Sequence, residues 1–211
     1  MTEKKIIVSK TMRYFTIGDI DKADKLLYVL HGYGQLASYF IKSFEKISDS
    51  FFVVAPEGMH RFYLKGTSGR VGASWMTKEA REIDIDENTK NLALLDQEIF
   101  KKKTFKKKII LGFSQGGATA ARWYFSQDKI ADNLILWASI FPPDINENEF
   151  VKSNRNKNYF VLGNQDPYFN KENIDKVINA YQLNHFIIER FEGKHQINLS
   201  VLKRILKNIK N

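Results

Sequence analysis

Residues 109–123 read IILGFSQGGATAARW, an apolar run that leads into the pattern Gly-x-Ser-x-Gly centred on Ser114. The apolar run predicts a buried strand, and the small residues that follow predict a helix packed closely on a sheet. Glycines on both sides of the serine leave room for a sharp turn between strand and helix, which lifts the hydroxyl clear of the backbone. Serine is also a common helix N-cap, so a capping role is the alternative. The complete strand, turn and helix pattern favours Ser114 as a nucleophile.

Strand and helix patterns alternate along the rest of the chain. Continuous apolar runs predict strands buried on both faces at residues 26–30, 51–55, 108–113, 133–138, 158–162 and 186–191. Between them, apolar residues recur at helical spacing, for example at Leu92, Leu95 and Ile99. Ahead of them, residues 5–10 and 13–17 are predicted to pair as an antiparallel hairpin at the sheet edge. The predicted fold class is α/β, a mostly parallel sheet with helices on both faces.

Length and composition limit the class of protein. With 211 residues and an apolar fraction of 43%, the chain is expected to form one domain over residues 1–211. The absence of cysteine excludes a disulfide framework, a thiolate metal site and a cysteine nucleophile. The first residues lack the apolar segment of a signal peptide, and no apolar run reaches the ~20 residues of a membrane span. We therefore expect a soluble, cytoplasmic protein without integral membrane association.

The formal charge of +9 is a feature that nucleic-acid-binding proteins often share. Its densest part is a run of lysines within residues 101–108, between a predicted helix and a predicted strand. The remaining basic residues are scattered among acidic ones, and like-charge runs are usually solvated faces. No nucleic-acid partner is therefore expected, although binding by the lysine run stays open.

Two connections are unusually long, residues 56–85 and 139–157. Each leaves the carboxyl end of a predicted strand, where open α/β sheets bind their ligands. The two connections are therefore expected to form walls of an active site. Trp75 and Phe141 lie in them and are candidates to line a substrate pocket, with core packing as an equally good account.

A serine nucleophile needs a base, and histidine is the usual choice near neutral pH. The chain has four histidines, of which His195 alone follows the last predicted strand, on a loop before the final helix. This position is where the chain order serine, acid, histidine places the base. Of His31, His60 and His185, the first is expected to support its own loop rather than to act as a second base.

Asp166 is the candidate acid that orients this base. It follows the predicted strand at residues 158–162, where a carboxylate could hold the imidazole tautomer and stabilise its protonated form. Asp144 and Glu192 are rivals, but the first follows an earlier strand and the second is close to the histidine in sequence. A turn-forming role without chemistry is the alternative for Asp166.

The stretch Leu30-His31-Gly32-Tyr33-Gly34 ends the first parallel strand and is expected to reach the space beside the nucleophile. Backbone N–H groups of Tyr33 and of Gln115, the residue after the nucleophile, are candidates for an oxyanion hole. Gly32 would contact substrate there. An ordinary strand-ending turn is the alternative for the two glycines.

Four stretches resemble the phospholipase/carboxylesterase family of α/β-hydrolases, which includes bacterial carboxylesterases and acyl-protein thioesterases. They are residues 30–32, 74–75 and 112–117, and Gly163 with Asp166-Pro167 followed by residues 192–195. The resemblance implies an α/β-hydrolase fold without a large lid domain. It also implies Ser114, Asp166 and His195 as catalytic triad, and Tyr33 and Gln115 as oxyanion donors. Tyr33 replaces a usual leucine, and Met76-Thr77 replaces an aromatic residue and an aspartate, which leaves substrate preference open.

The expected activity is hydrolysis of carboxylic esters, or of thioesters or lysophospholipids, through an acyl-enzyme intermediate. The expected partner is a small-molecule acyl ester or thioester, and neither a metal nor an organic cofactor is expected. The alternative is a catalytically silent binding protein with the hydrolase fold, because fold does not fix function. The sequence leaves the acyl length open, and likewise the choice between monomer and homodimer.

Overall fold

The computed structural model describes residues 1–127, 130–145, 157–169 and 171–209, and a sheet of seven strands runs through this part of the chain. The sheet contains β1 (Tyr14–Ile17), β2 (Lys25–Leu30), β3 (Phe52–Pro56), β6 (Lys107–Phe113), β7 (Asn133–Trp137), β8 (Tyr159–Gly163) and β9 (Ile187–Phe191). Their spatial order is β1-β3-β2-β6-β7-β8-β9. Two further strands, β4 (His60–Tyr63) and β5 (Val71–Ser74), form a separate antiparallel pair.

The sheet is parallel except at one edge. Strands β2, β3, β6, β7, β8 and β9 pair in parallel, and β1 runs antiparallel to β3. The inner strands β3, β7 and β8 are buried along their whole length, whereas the edge strands β1 and β9 keep exposed positions. Burial on both faces is what continuous apolar runs indicate, so the predicted mostly parallel sheet is confirmed.

The antiparallel edge is confirmed, but its partner differs from the predicted one. Residues 5–10 form no regular secondary structure and are exposed, so they do not pair with β1. Instead β1 lies along β3, with Tyr14 opposite Pro56, and Arg13 Nε donates to the buried Glu57 carboxylate at 3.0 Å. β1 lies instead beside a buried strand and a buried carboxylate, whereas Ile6, Ile7 and Val8 within residues 5–10 remain exposed.

Helices cover both faces of the sheet, as predicted. They are α1 (Ala37–Phe40), which continues into a 3₁₀ helix (Ile41–Ile47), α2 (Arg81–Phe100), α3 (Gln115–Ser126), α4 (Lys171–Leu183) and α5 (Leu199–Ile209). On β6, a Cβ at Gly112 would meet Ala120 of α3 at 2.6 Å, whereas the ring of Phe113 stacks on Phe40 of α1 at 5.8 Å. Successive strand residues point to opposite faces, so α3 and α1 lie on opposite sides. None of the helices in the described residues has the length and apolar character needed to span a bilayer.

The order in which strands are added to the sheet reverses between β2 and β6. It first adds β3 on one side of β2, and then crosses to add β6, β7, β8 and β9 on the other side. Loops at the carboxyl ends of β2 and β6 therefore leave in opposite directions and open a crevice, the usual ligand position in such sheets. Leu30 pairs with Gly112 in register, so His31 and Ser114 both lie just past this rim.

The lysine run at residues 101–108 lies at the opposite end, because β6 begins at Lys107. Lys106 Nζ pairs with Asp24 at 2.7 Å, Lys108 Nζ pairs with Asp96 at 2.8 Å, and Lys103 Nζ donates to a backbone carbonyl. Part of this positive charge is therefore paired with nearby carboxylates.

Of the two long connections, residues 56–85 contain the β4–β5 hairpin, which the sequence analysis did not predict. The N–H of Gly34 donates to the Ala73 carbonyl at 2.9 Å, and the N–H of Ala73 donates to the Gln35 carbonyl at 3.1 Å. These bonds fix the hairpin to the loop after β2. The other connection, residues 139–157, includes residues 146–156, which lie outside the described residues.

His31 supports the loop after β2, as predicted. The residue is fully buried; its Nδ1 donates to the Gly32 carbonyl at 2.8 Å, and its Nε2 accepts from the N–H of Gly58 at 3.0 Å. Its ring stacks on Trp75 with centroids 5.0 Å apart. Burial lowers the pKa of His31, outweighing the Gly32 hydrogen bond and the charge of Glu57, which both raise it. His31 is therefore a neutral structural element.

We expect the His31→Asn variant to show a flatter dependence of stability on pH than the wild type. The folded pKa is below the unfolded value of about 6.5, so the unfolded chain binds the extra proton first. The stabilisation is complete above that pH and is lost as the pH falls below it, by at most about 1.4 kcal/mol per pH unit. Urea unfolding of the wild type and the variant at pH 7.5 and pH 5.5 measures how the stability of each depends on pH. Equal pH dependence in the two proteins would contradict this account of His31.

A second prediction concerns the fit of α3 against β2. Replacement of glycine by alanine inside a helix usually stabilises it by about 1 kcal/mol. At Gly116 the added Cβ would lie 2.5 Å from the carbonyl oxygen of Leu30, which is backbone and cannot rotate away. We therefore expect Gly116→Ala to destabilise the protein by about 1–3 kcal/mol in urea unfolding. Ala118→Gly measures helix propensity in the same helix, and an unchanged or raised stability of Gly116→Ala would contradict the packing argument.

Candidate active site

Ser114 occupies the turn between β6 and α3 in a strained backbone conformation. Its φ of 53° and ψ of −121° lie outside the regions that non-glycine residues prefer, at a cost of about 1–3 kcal/mol. The conformation is held from both sides: the N–H of Ser114 donates to the Trp137 carbonyl, and its carbonyl accepts from the N–H of Gly117, each at 2.9 Å. This is the sharp strand-to-helix turn that the sequence predicted.

The loop after β2 lies directly beside this serine. A Cβ added at Gly32 would be 3.2 Å from the Ser114 Cβ and 3.0 Å from the Phe113 ring, so only glycine leaves this space free. The N–H of Gly32 donates to the Gln35 side chain at 2.8 Å, and that of Gly34 donates to Ala73. Between them, the N–H of Tyr33 donates to no acceptor in the described residues. The loop beside Ser114 thus contains one unused backbone donor.

Gln115 is the first residue of α3, and its backbone N–H belongs to the set that has no acceptor within the helix. Its side chain makes a network that the sequence analysis missed. Gln115 Oε1 accepts from the N–H of Trp75 at 3.1 Å, and its Nε2 donates to the Met76 carbonyl at 2.8 Å. The start of α3 is therefore fixed to the segment after β5.

The side chains of His195 and Asp166 are hydrogen-bonded to each other. The distance from His195 Nδ1 to Asp166 Oδ2 is 2.7 Å, and the carboxylate is fully buried. A carboxylate can only accept, so Nδ1 carries the proton and Nε2 is left as the basic nitrogen. The other carboxylate oxygen accepts from the N–H of Tyr168 at 3.0 Å.

A close approach of two loops joins these residues across 29 positions of sequence. The N–H of Gln165 donates to the Gly193 carbonyl at 2.9 Å. A Cβ at Gly163 would lie 2.6 Å from the Lys194 carbonyl oxygen, so glycine is required for the contact. The loop after β8 and the loop after β9 therefore meet at the positions that carry the acid and the histidine.

Two aromatic rings enclose the imidazole of His195. The ring centroid of Phe113 is 4.7 Å away, and that of Tyr168 is 4.6 Å away in an edge-on arrangement. Phe113 immediately precedes Ser114, so the imidazole lies beside the nucleophile turn. The structure contains no hydrogen bond between Ser114 and His195, both of which are described residues. Tyr168 was not predicted, although its place two residues after Asp166 was a usable signal.

The rivals of Asp166 are engaged elsewhere. Asp144 accepts from Arg122 Nε at 2.7 Å and from its Nη2 at 2.6 Å, and these hydrogen bonds lower the pKa of the Asp144 carboxyl. Glu192 accepts from the Asn164 side chain at the surface. Neither carboxylate is the partner of the His195 Nδ1, which leaves Asp166 in that position.

Two predicted pocket residues are packed into the protein instead. Trp75 is fully buried, and its Nε1 donates to the His31 carbonyl at 2.8 Å, which leaves no surface for a substrate. Phe141 is half-buried and contacts the rings of Tyr181 and Phe186. Both therefore follow the core-packing alternative. Indole and phenyl rings are large and apolar, so burial in the core is more favourable for them than an open position.

His60 and His185 form no hydrogen bond with Ser114 or Asp166, all of which are described residues. His60 Nε2 pairs with Asp84 at 3.0 Å on the surface, and His185 lies in a turn before β9. Within the described ranges, no group of three or more histidine or carboxylate side chains is arranged to hold a metal ion.

Several solved structures share this architecture. A carboxylesterase from Mesorhizobium loti is 15% identical, with a TM-score of 0.72 over 93% of this chain and 94% of its own. Esterase PE8 is 16% identical, with a TM-score of 0.70 over 95% of this chain and 100% of its own. Acyl-protein thioesterase 2 of Zea mays is 13% identical, with a TM-score of 0.69 over 94% and 97%. At these identities the likeness shows the fold, and it confirms the predicted α/β-hydrolase architecture.

The sequence itself matches a family. No curated protein matches the chain, but residues 21–198 match the family described as serine hydrolase (FSH1). The matched range covers most of the chain and contains Ser114, Asp166 and His195. The predicted resemblance to serine hydrolases is therefore confirmed, and the protein is a hydrolase. The chain belongs to the FSH1 serine hydrolase family.

Proposed function

We propose that this hydrolase cleaves carboxylic esters or thioesters through an acyl-enzyme intermediate, with Ser114 as nucleophile, His195 as base and Asp166 as the acid that orients it. The hydrogen bond of 2.7 Å between His195 and Asp166, beside the strained serine turn, is the observation that carries the proposal. The fold shared with esterases and with a thioesterase supports the same reaction class.

In the acylation step, Ser114 Oγ attacks the carbonyl carbon while its proton passes to His195 Nε2. The C–O or C–S bond of the substrate then breaks, and the leaving group takes that proton from the imidazolium. This step requires rotation of the Ser114 side chain, which brings Oγ to Nε2. Hydrogen bonds between a nucleophile and its base often tighten only with substrate present. Asp166 is suited to stabilise the imidazolium because both of its oxygens are already directed by hydrogen bonds.

The negative oxygen of the tetrahedral intermediate needs donors that are fixed in advance. The backbone N–H groups of Tyr33 and Gln115 are suited to this role, because loop and helix hold them without an internal acceptor. Each such donor contributes about 10²–10³ in rate. Gly32 keeps the space in front of Ser114 open to the acyl group.

In the deacylation step, water attacks the acyl-enzyme and gives its proton to His195 Nε2. The imidazolium returns the proton to Ser114 Oγ as the acyl bond breaks, which releases the carboxylic acid. The scheme uses only proton transfers and two acyl transfers, first to Ser114 and then to water, so it calls for no metal and no organic cofactor.

We expect Ser114→Ala to lower turnover of a short p-nitrophenyl ester by about 10³-fold or more, because the nucleophile is removed. Ser126→Ala, at the far end of α3, is the matched control and should retain wild-type turnover. Circular dichroism establishes that both variants remain folded. Turnover by Ser114→Ala near the wild-type level would refute the proposal.

Variants of two aspartates test whether Asp166 is the acid that orients His195. In Asp166→Asn the amide can donate to Nδ1, which moves the imidazole proton to Nε2 and blocks the base, so kcat should fall by about 10³-fold. Asp144→Asn makes the same chemical change at the carboxylate bound to Arg122 and should leave kcat close to wild type. A larger loss in Asp144→Asn than in Asp166→Asn would reassign the acid.

A further inference from the structure

A groove of about 660 Å³ lies behind the loop after β2, in the size range of small-molecule sites. One wall is formed by Leu36, Tyr39 and Phe40 at α1, and the other by residues 69–71 at the start of β5. The triad residues do not line it. The groove is therefore a second feature of this rim, separate from the nucleophile turn.

The groove begins next to the nucleophile. Gln35 lines it, and the Gln35 Oε1 and the Ser114 Cβ each lie 3.2 Å from the position that a Cβ on Gly32 would take. Phe40, in the wall at α1, stacks on Phe113, the residue before the serine. Gln35 and Phe40 therefore connect the groove with the surroundings of Ser114.

The two walls are held at a fixed separation. The β4–β5 hairpin is bonded to the loop after β2 through Gly34, Gln35 and Ala73, as described above. Because these bonds join one wall directly to the other, the groove keeps its shape without a ligand, which favours binding.

Arg70 is the one charged residue among the described residues that line the groove. Its guanidinium forms no ion pair within the described part of the chain. By contrast Arg13, Arg122 and Arg204 each pair with a carboxylate. Lys42 does not line the groove but adds positive charge near it, with its Nζ 5.3 Å from the ring of Tyr39. The lining combines the apolar side chains of Leu36, Phe40 and Val71 with an unpaired guanidinium, a combination that is complementary to an apolar chain that ends in an anion.

We propose that this groove binds a carboxylate at the far end of the ester substrate, with Arg70 as its partner, so that the enzyme prefers acidic esters to neutral ones of the same length. The proposal rests on the esterase activity proposed above. A guanidinium binds a carboxylate through two parallel hydrogen bonds, which a neutral chain end cannot form.

The test compares p-nitrophenyl monoesters of dicarboxylic acids from succinate to suberate with neutral p-nitrophenyl esters of matched length. At low salt, Arg70→Gln should lower kcat/KM for the best acidic ester about 10-fold and leave the neutral ester unchanged. Lys65→Gln makes the same charge change in the turn of the same hairpin but outside the groove, and should change neither. Equal effects of Arg70→Gln on both esters, or of Lys65→Gln and Arg70→Gln on the acidic ester, would overturn the proposal.

A binding measurement separates this proposal from the esterase activity. Calorimetric titration of glutarate into Ser114→Ala should show binding that the added Arg70→Gln substitution weakens about 10-fold. If the wild type hydrolyses neither ester, the proposed function fails. If neutral esters are hydrolysed and glutarate binds equally with and without Arg70, the function stands and the groove proposal fails.

Discussion

The close approach of α3 to the ends of β2 and β6 is the constraint on which the site depends. A Cβ at Gly116 would lie 2.5 Å from the Leu30 carbonyl oxygen, and one at Gly112 would lie 2.5 Å from the Gly117 Cα. Because helix and strand are so close, the chain must turn within one residue, and Ser114 takes a positive φ. The same approach brings the start of α3 beside the loop that contains Gly32. Strain at the serine and the position of both backbone donors thus have a single physical origin, and the burial of the surrounding sheet balances the strain.

Two histidines at this rim of the sheet differ in the hydrogen bonds that their ring nitrogens make. Both nitrogens of His31 are used by backbone groups, and burial holds it neutral. His195 uses only Nδ1, toward Asp166, and its Nε2 has no hydrogen-bond partner among the described residues. His31 therefore holds the loop beside Ser114, while His195 is the residue that we propose for proton transfer. A histidine adjacent to an active site is not by that fact part of its chemistry.

Much of the fold could be predicted from sequence because its inner strands are continuous apolar runs and its nucleophile turn has a specific glycine pattern. The pairing of Asp166 with His195 followed from chain order, since the loops after β8 and β9 leave one edge of one sheet. The β4–β5 hairpin was missed because its strands are four residues each and its turn is rich in glycine. Residues 5–10 have strand-like composition, but pairing depends on a partner elsewhere in the chain. The burial of Trp75 likewise depends on three-dimensional contacts with His31 that no local pattern encodes.

The central claim is that Ser114, His195 and the donors at Tyr33 and Gln115 converge on one reacting carbon. A crystal structure of the protein after reaction with a fluorophosphonate tests it most directly, since the tetrahedral phosphorus resembles the intermediate. We predict phosphorus bonded to Ser114 Oγ, a phosphoryl oxygen within about 3.1 Å of both backbone nitrogens, and His195 Nε2 within about 3.2 Å of Oγ. An adduct on another residue, or an imidazole directed away from the adduct, would contradict the claim.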